Sequence, residues 1–259
     1  MPIPTESIGS IPRSRELLTA MGDHAAGRIT DAQLEAAQHE ALKDTIARLE
    51  ETGSPVLTDG EQMKPSFATY PLAGLHKLAF DGVTIPFADG HTRQLPRLSA
   101  GPFAYGVHAV GYLKAAQKYT KRPVKQAVIS ASALSLLYPA PGLPDYPKEK
   151  FLEDLANEAE CDIRECLDAG AANVQIDFTE ARLSLKLDPS AGLLRAFVDL
   201  NNKQLNRLTV EQRKEIGVHT GGDRDSTHSA EVDYTDLLLL FEGRLRMAPQ
   251  HRGKLPSPR

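Results

Sequence analysis

The sequence predicts an α/β fold: a parallel (β/α) barrel of TIM type in which about five of the eight β/α units are present. Three observations carry this expectation. Short β-branched runs alternate with longer helical periodicities, the pattern of a parallel sheet wrapped by helices. Polar residues capable of chemistry recur just after the strand-like runs, where the βα loops of such a barrel converge. A chain of 259 residues, 41% of them hydrophobic, is long enough to bury a sizeable core.

Ser7-Ile8-Gly9-Ser10-Ile11 reads as the first strand and its exit turn. Thr30-Asp31-Ala32-Gln33 is a capping box that opens a helix with Leu34, Ala37, Ala41, Leu42, Ile46 and Leu49 on one face, and Gly53 ends it. Pro55-Val56-Leu57-Thr58 is a second strand, emptying into Asp59-Gly60-Glu61-Gln62. Over 66–101 the rhythm breaks, with Pro71, Pro86, Pro96 and short strand-like pieces, which predicts an irregular insertion containing a hairpin. A helix near 109–119 leads to a third strand over 124–130, followed by a helix over 147–169 with Phe151, Leu152, Leu155, Ala159, Ile163 and Leu167 inward. Val174-Gln175-Ile176-Asp177 is the fourth strand; Asp188-Pro189 supplies an N-cap and first-turn proline for the next helix. Ile216-Gly217-Val218-His219 is the fifth strand, followed by a helix through 237–241.

Charge and composition exclude several classes. The net charge of −4 argues against a general affinity for nucleic acid. No apolar run reaches about 18 residues, so no membrane-spanning helix is expected. The N-terminus lacks the basic and then apolar regions of a signal peptide, which predicts a cytoplasmic protein. Cys161 and Cys166 sit five apart on a predicted helix and read as ordinary reduced thiols. The charge is uneven: residues 243–259 hold Arg244, Arg246, Arg252, Lys254 and Arg259 with no acidic residue. This divides the chain into a partial barrel over 1–242 and a basic tail over 243–259 without a fold of its own.

The polar residues at strand ends are Ser10, then Asp59 and Glu61, then Ser130 and Ser132, then Asp177 and Glu180, and last His219, Asp223, Asp225 and His228. Each has a plain structural reading: Ser10 as a helix cap, Asp59-Gly60 as a turn, Asp177 as an ion-pair partner, His219 as a hydrogen-bonded core histidine. Together on one face of a barrel they suggest a site, although they assign no catalytic residue. Glu61 and Asp177 suit ammonium binding or general acid–base work. A histidine ending a strand can ligate zinc, which needs three or four ligands. Gly221-Gly222 can present backbone amides to an anion or simply form a tight turn. No phosphate-binding loop, dinucleotide fingerprint or nucleophile elbow is present.

Ile8-Gly9-Ser10-Ile11-Pro12-Arg13, Thr58-Asp59-Gly60-Glu61, Val174-Gln175-Ile176-Asp177 and Gly217-Val218-His219-Thr220 resemble, in order and spacing, the catalytic barrel of cobalamin-independent methionine synthase. The likeness covers roughly residues 5–242 and is greatest to the short stand-alone relatives of bacteria and fungi. The resemblance implies methyl transfer from 5-methyltetrahydrofolate to a thiol such as homocysteine, with zinc as the cofactor and no cobalamin. It implies that Ser10, Glu61 and Asp177 hold the amino-acid substrate and that His219 is a zinc ligand. It implies small-molecule partners, a homocysteine-like thiol and a methyl-folate, with neither nucleic acid nor membrane.

Departures from the family pattern bear on that expectation. Short relatives read His-Thr-Cys-Pro-Gly-Gly where this chain reads His219-Thr220-Gly221-Gly222. The glutamate and second cysteine ligands belong to strands not recognisable here, so the zinc site is incomplete. Two alternatives follow: a truncated, catalytically inactive remnant or amino-acid-binding module, and a metal-independent enzyme of the uroporphyrinogen-decarboxylase kind, whose barrel is related. An open sheet also predicts self-association through its edges.

Overall fold

The computed structural model describes residues 6–86 and 90–221. The basic tail over 243–259, the helix through 237–241, and Asp223, Asp225 and His228 therefore lie outside the described residues. Two helices open the chain, α1 (Arg15–Ala25) and α2 (Asp31–Glu51). The Ser14 hydroxyl caps α1 by accepting from the Leu17 amide at 3.2 Å. Both bonds of the Thr30–Gln33 capping box form at the start of α2, and Gly53, at φ 75°, takes the left-handed turn past its end.

Strand β1 (Leu57–Thr58) is followed by four short strands, β2 (Leu78–Ala79), β3 (Thr84–Pro86), β4 (Thr92–Gln94) and β5 (Arg97–Leu98). Within 66–101, β2 pairs antiparallel with β5 and β3 with β4. Next come α3 (Val110–Gln117), β6 (Val124–Ile129), α4 (Ala131–Ser135) and α5 (Lys148–Asp168). The chain continues through β7 (Val174–Asp177), α6 (Glu180–Leu187), α7 (Gly192–Leu205), α8 (Val210–Lys214) and β8 (Ile216–His219).

Strands β1, β6, β7 and β8 form one sheet in that order. β1 runs parallel to β6, Leu57 opposite Val124. The bonds from the Gln126 amide to the Asn173 carbonyl and from the Ser130 amide to the Asp177 carbonyl advance together, so β6 and β7 are parallel as well. Helices intervene between successive strands of this sheet, as expected of an α/β fold. Four sheet strands stand where five were expected, and closure into a barrel is not seen among the described residues.

The missing strand is the first. Residues 7–11 run beside the sheet without joining its ladder, because side chains take their carbonyls. Lys125 Nζ donates to Ser7 O at 2.6 Å, Thr58 Oγ1 to Gly9 O at 3.1 Å, and Gln62 Nε2 to Ile11 O at 3.0 Å. The helix expected to start at Asp188-Pro189 starts later, at Gly192. Ala191 adopts φ 60°, a left-handed conformation that interrupts helical continuation. Asp188 nevertheless caps α7 from a distance, its Oδ2 accepting from the Leu193 amide at 2.8 Å.

Contacts divide the chain into two units, the described residues of Met1–Leu75, Tyr105–Ile129 and Cys161–Gln175, and those of His76–Ala104, Ser130–Glu160 and Ile176–Arg259. In the first, Leu42, Ile46 and Leu49 of α2 are buried, as their spacing predicts. In the second, Phe178, Ala181, Ala191, Leu194, Phe197 and Val198 form one apolar cluster around α6 and α7. A second cluster there centres on Phe151, fully buried, with Phe103 and Tyr138 each 5.3 Å away between ring centroids. Truncating it leaves a cavity that neighbouring rings cannot collapse to fill. Phe151→Ala should lower the unfolding free energy by about 3–5 kcal/mol, read as a shifted denaturant midpoint at unchanged slope; a loss below about 1 kcal/mol would show that the ring cluster contributes little.

Candidate functional site

In the first unit, the Asp59-Gly60-Glu61 turn leaves β1 in a conformation few residues accept. Gly60 has φ 60°, and a Cβ there would lie 2.6 Å from Thr45 Cγ2, so glycine is required on both counts. Glu61 follows at φ 57°, left-handed for a residue with a side chain, which costs on the order of 1–3 kcal/mol and persists only where the surroundings enforce it. They do: the Glu61 amide donates to Asp59 Oδ1 at 3.0 Å, and Arg13 Nη2 donates to the Glu61 carbonyl at 3.0 Å.

The Glu61 carboxylate is thereby aimed at Ser10, whose hydroxyl donates to Oε2. Its other oxygen faces Lys64 Nζ at 3.4 Å. The Lys64 side chain is 1% exposed, donates to the Ala127 carbonyl at 2.8 Å and lies over the Tyr70 ring at 4.8 Å. Lys64 escaped the reading of the sequence. Its signal was the three-residue spacing from Glu61 inside a polar turn, which says nothing of burial. Tyr70 itself donates its hydroxyl to Asp162; burial first, then that carboxylate, holds the phenol protonated well above its usual range.

In the second unit, Asp177 ends β7 and His219 ends β8, the Phe178 amide donating to the His219 carbonyl at 2.7 Å. This places His219 Nδ1 3.3 Å from Asp177 Oδ1. A carboxylate at Nδ1 fixes the ring and leaves Nε2 as the second nitrogen. Beside them Glu180 is 5% exposed. The hydroxyls of Ser130 and Ser132 both donate to its Oε1, and Asn201 clasps Ser132, donating Nδ2 to Oγ at 2.7 Å while accepting from its amide. Burial dominates the two hydroxyl bonds and pushes the Glu180 carboxyl up to about 7.

Of the four residues the resemblance singled out, Ser10 thus meets Glu61 and Asp177 meets His219. Gly221 stands where a cysteine ligand would be expected. Among the described residues, the only group of three metal-ligating side chains with donor atoms within 4.8 Å of one another is His108, Cys161 and Glu165, and His219 is not part of it. The described residues at His219 bring together its imidazole and the Asp177 carboxylate, with no third metal-ligating side chain beside them.

Comparison with known proteins gives a consistent lineage. The family model described as the catalytic domain of cobalamin-independent synthase matches residues 3–232. A 5-methyltetrahydropteroyltriglutamate–homocysteine methyltransferase of Corynebacterium efficiens is 28% identical over 193 residues, covering 72% of this chain and 24% of that protein. The enzyme of that name from Streptomyces griseus is 25% identical over 248 residues, covering 93% of this chain and 30% of that protein. The chain therefore spans about a quarter to a third of the length of these curated relatives. Among solved structures, a putative vitamin-B12-independent methionine synthase from Listeria monocytogenes superposes with a TM-score of 0.68 at 21% identity, covering 95% of this chain and 71% of that one. A B12-independent methionine synthase from a Shewanella species, in complex with selenomethionine, gives 0.63 at 19% identity, covering 86% and 63%.

The raised Glu180 carboxyl makes stability depend on pH. Its folded value of about 7 lies above the unfolded value of 4.5, so its contribution is fully present below pH 4.5 and is lost as pH rises through 7. The unfolding free energy of the wild type should fall relative to Glu180→Gln between pH 5 and pH 8, by a few kcal/mol at most. Parallel pH–stability curves for the two proteins would rule out a neutral buried carboxyl.

Proposed function

The chain belongs to the family of cobalamin-independent synthase catalytic domains, and we propose that it binds an amino acid of the homocysteine class and serves methyl transfer from a methyl-folate to that thiol. The family match over residues 3–232 carries this reading. Retention of Glu61 and Asp177 at the two strand ends where the resemblance implies substrate-holding acids supports it. In the first unit the Glu61 carboxylate, with the Ser10 hydroxyl on it, suits a polar group of an amino acid, and in the second unit the Asp177 carboxylate suits an ammonium. Asp177 also orients His219, so an imidazole nitrogen of fixed direction stands beside one of the substrate-holding acids.

Transfer itself requires the thiol to lose its proton, because the thiolate is the nucleophile. The new bond joins sulfur to the methyl carbon, the methyl–nitrogen bond of the folate breaks, and the folate nitrogen takes up a proton. The second ring nitrogen of His219, Nε2, is a base of suitable type for the thiol proton. No zinc cage surrounds it among the described residues.

One observation favours a second reading, binding without turnover: Gly221 occupies the position of the expected cysteine ligand, which removes the thiolate-stabilising charge a metal would supply. Purified chain incubated with homocysteine and 5-methyltetrahydrofolate should yield methionine by mass spectrometry, and Asp177→Asn should lower kcat/KM by at least about tenfold, the cost of one charged hydrogen bond. Calorimetric binding of homocysteine without methionine would establish the binding-module reading. Neither binding nor turnover would refute both.

A further inference from the structure

We propose that His108, Cys161 and Glu165 form a divalent transition-metal site suited to zinc, built at α5 and separate from His219. Cys161 and Glu165 are four residues apart on α5, so they share a face one turn apart. His108 comes from the residue before the N-cap of α3. The loop carrying it is fastened to the same turn of α5, because the Ala109 amide donates to Asp162 Oδ1 at 2.6 Å. The Tyr105 ring and the imidazole meet edge to face, the centroids 5.5 Å apart.

The separations suit a small tetrahedral ion. His108 Nδ1 lies 2.9 Å from Glu165 Oε2 and 4.0 Å from Cys161 Sγ, and with one carboxylate oxygen counted all three donor atoms lie within 4.8 Å of one another. Metal–ligand bonds of about 2.0–2.3 Å at tetrahedral angles put donor atoms roughly 3.3–3.6 Å apart. The two separations from His108 Nδ1 differ from that range by less than about half an ångström, within reach of a side-chain torsion. The donor set is also selective. A thiolate with an imidazole favours zinc over magnesium or calcium, which take oxygen ligands. All three residues are partly exposed, so an ion can enter, and a fourth position is left for water.

A His108–Glu165 ion pair alone would use two of the three groups and has no need of Cys161. What distinguishes the metal site is the thiol, which brings a soft donor to 4.0 Å from the imidazole and 3.7 Å from the carboxylate. On binding, the S–H bond breaks, the metal–sulfur bond forms, and the proton leaves to solvent, with no change of oxidation state. Affinity should therefore rise with pH as the thiol deprotonates.

The test uses the full chain stripped of metal with a chelator, then titrated with zinc alone against a chromophoric competitor, and with cobalt(II) alone. One equivalent of zinc should bind, and cobalt should give a thiolate-to-metal charge-transfer band. Cys161→Ser should abolish the band, and His108→Ala and Glu165→Gln should each weaken zinc binding at least tenfold, while His219→Ala leaves both readouts unchanged. Zinc should also protect Cys161 from alkylation in the wild type, a readout that needs no variant to fold. Retention of the band in Cys161→Ser, absence of protection, or loss of binding in His219→Ala alone would overturn the proposal. None of these readouts depends on methyl transfer, so the site and the activity stand or fall separately.

Discussion

Burial of charge is the constraint on which much of this molecule turns. An ion removed from water costs several kcal/mol unless partners replace its hydration. This chain nevertheless encloses Lys64 at 1% exposure and Lys125 at 2%. Lys64 is satisfied from both sides, by the Glu61 carboxylate and by the Ala127 carbonyl of β6. That requirement ties the turn after β1 to the neighbouring strand and helps hold Glu61 in its left-handed conformation. Lys125 finds Glu6 Oε1 at 3.0 Å, Ser7 O at 2.6 Å and Gln175 Oε1 at 3.0 Å. It thereby draws the N-terminal segment against the sheet without a ladder. The same demand that fixes the fold thus delivers Ser10 to Glu61.

Environment also separates carboxylates that look alike in sequence. Glu61 and Glu180 both follow strands and both accept from serine hydroxyls. Glu61 has a buried ammonium beside it, so its charge is compensated. Glu180 has only neutral donors, Ser130 and Ser132, and burial outweighs them, leaving a carboxyl that titrates near 7. A carboxyl neutral at moderate pH can donate a hydrogen bond where an ionised one can only accept. Two acids in equivalent positions therefore sit in different surroundings, one beside a buried ammonium and one among hydroxyl donors alone.

These contrasts mark what the sequence could and could not disclose. Elements with strong local signals were legible to the residue: the capping box of α2, and the β-branched runs of β7 and β8. The segment 7–11 looked like a strand because Ile8 and Ile11 flank small residues, yet Lys125, Thr58 and Gln62 had claimed its carbonyls from far along the chain. Helices α1 and α6 were passed over because their apolar residues are few and interspersed with charge. Strand-end position and resemblance single out Ser10, Glu61, Asp177 and His219, and the structure places Ser10 against Glu61 and Asp177 against His219. Lys64 and His108 were not legible in this way, since their meaning comes from partners brought near by folding.

The two histidines of interest show how little residue type alone decides. His219 has a strand-end position, a carboxylate at Nδ1 and a family precedent, but the described residues around it lack a second soft donor. His108 has no precedent and sits at the entrance to a helix, yet it meets a thiol and a carboxylate from one turn of α5. Metal affinity follows the count, softness and spacing of donors, all of which favour His108. His219, oriented by Asp177, has a carboxylate but no thiolate beside it among the described residues. Ancestry fixes where polar residues gather on this fold, and the local donor set determines which chemistry each gathering can perform.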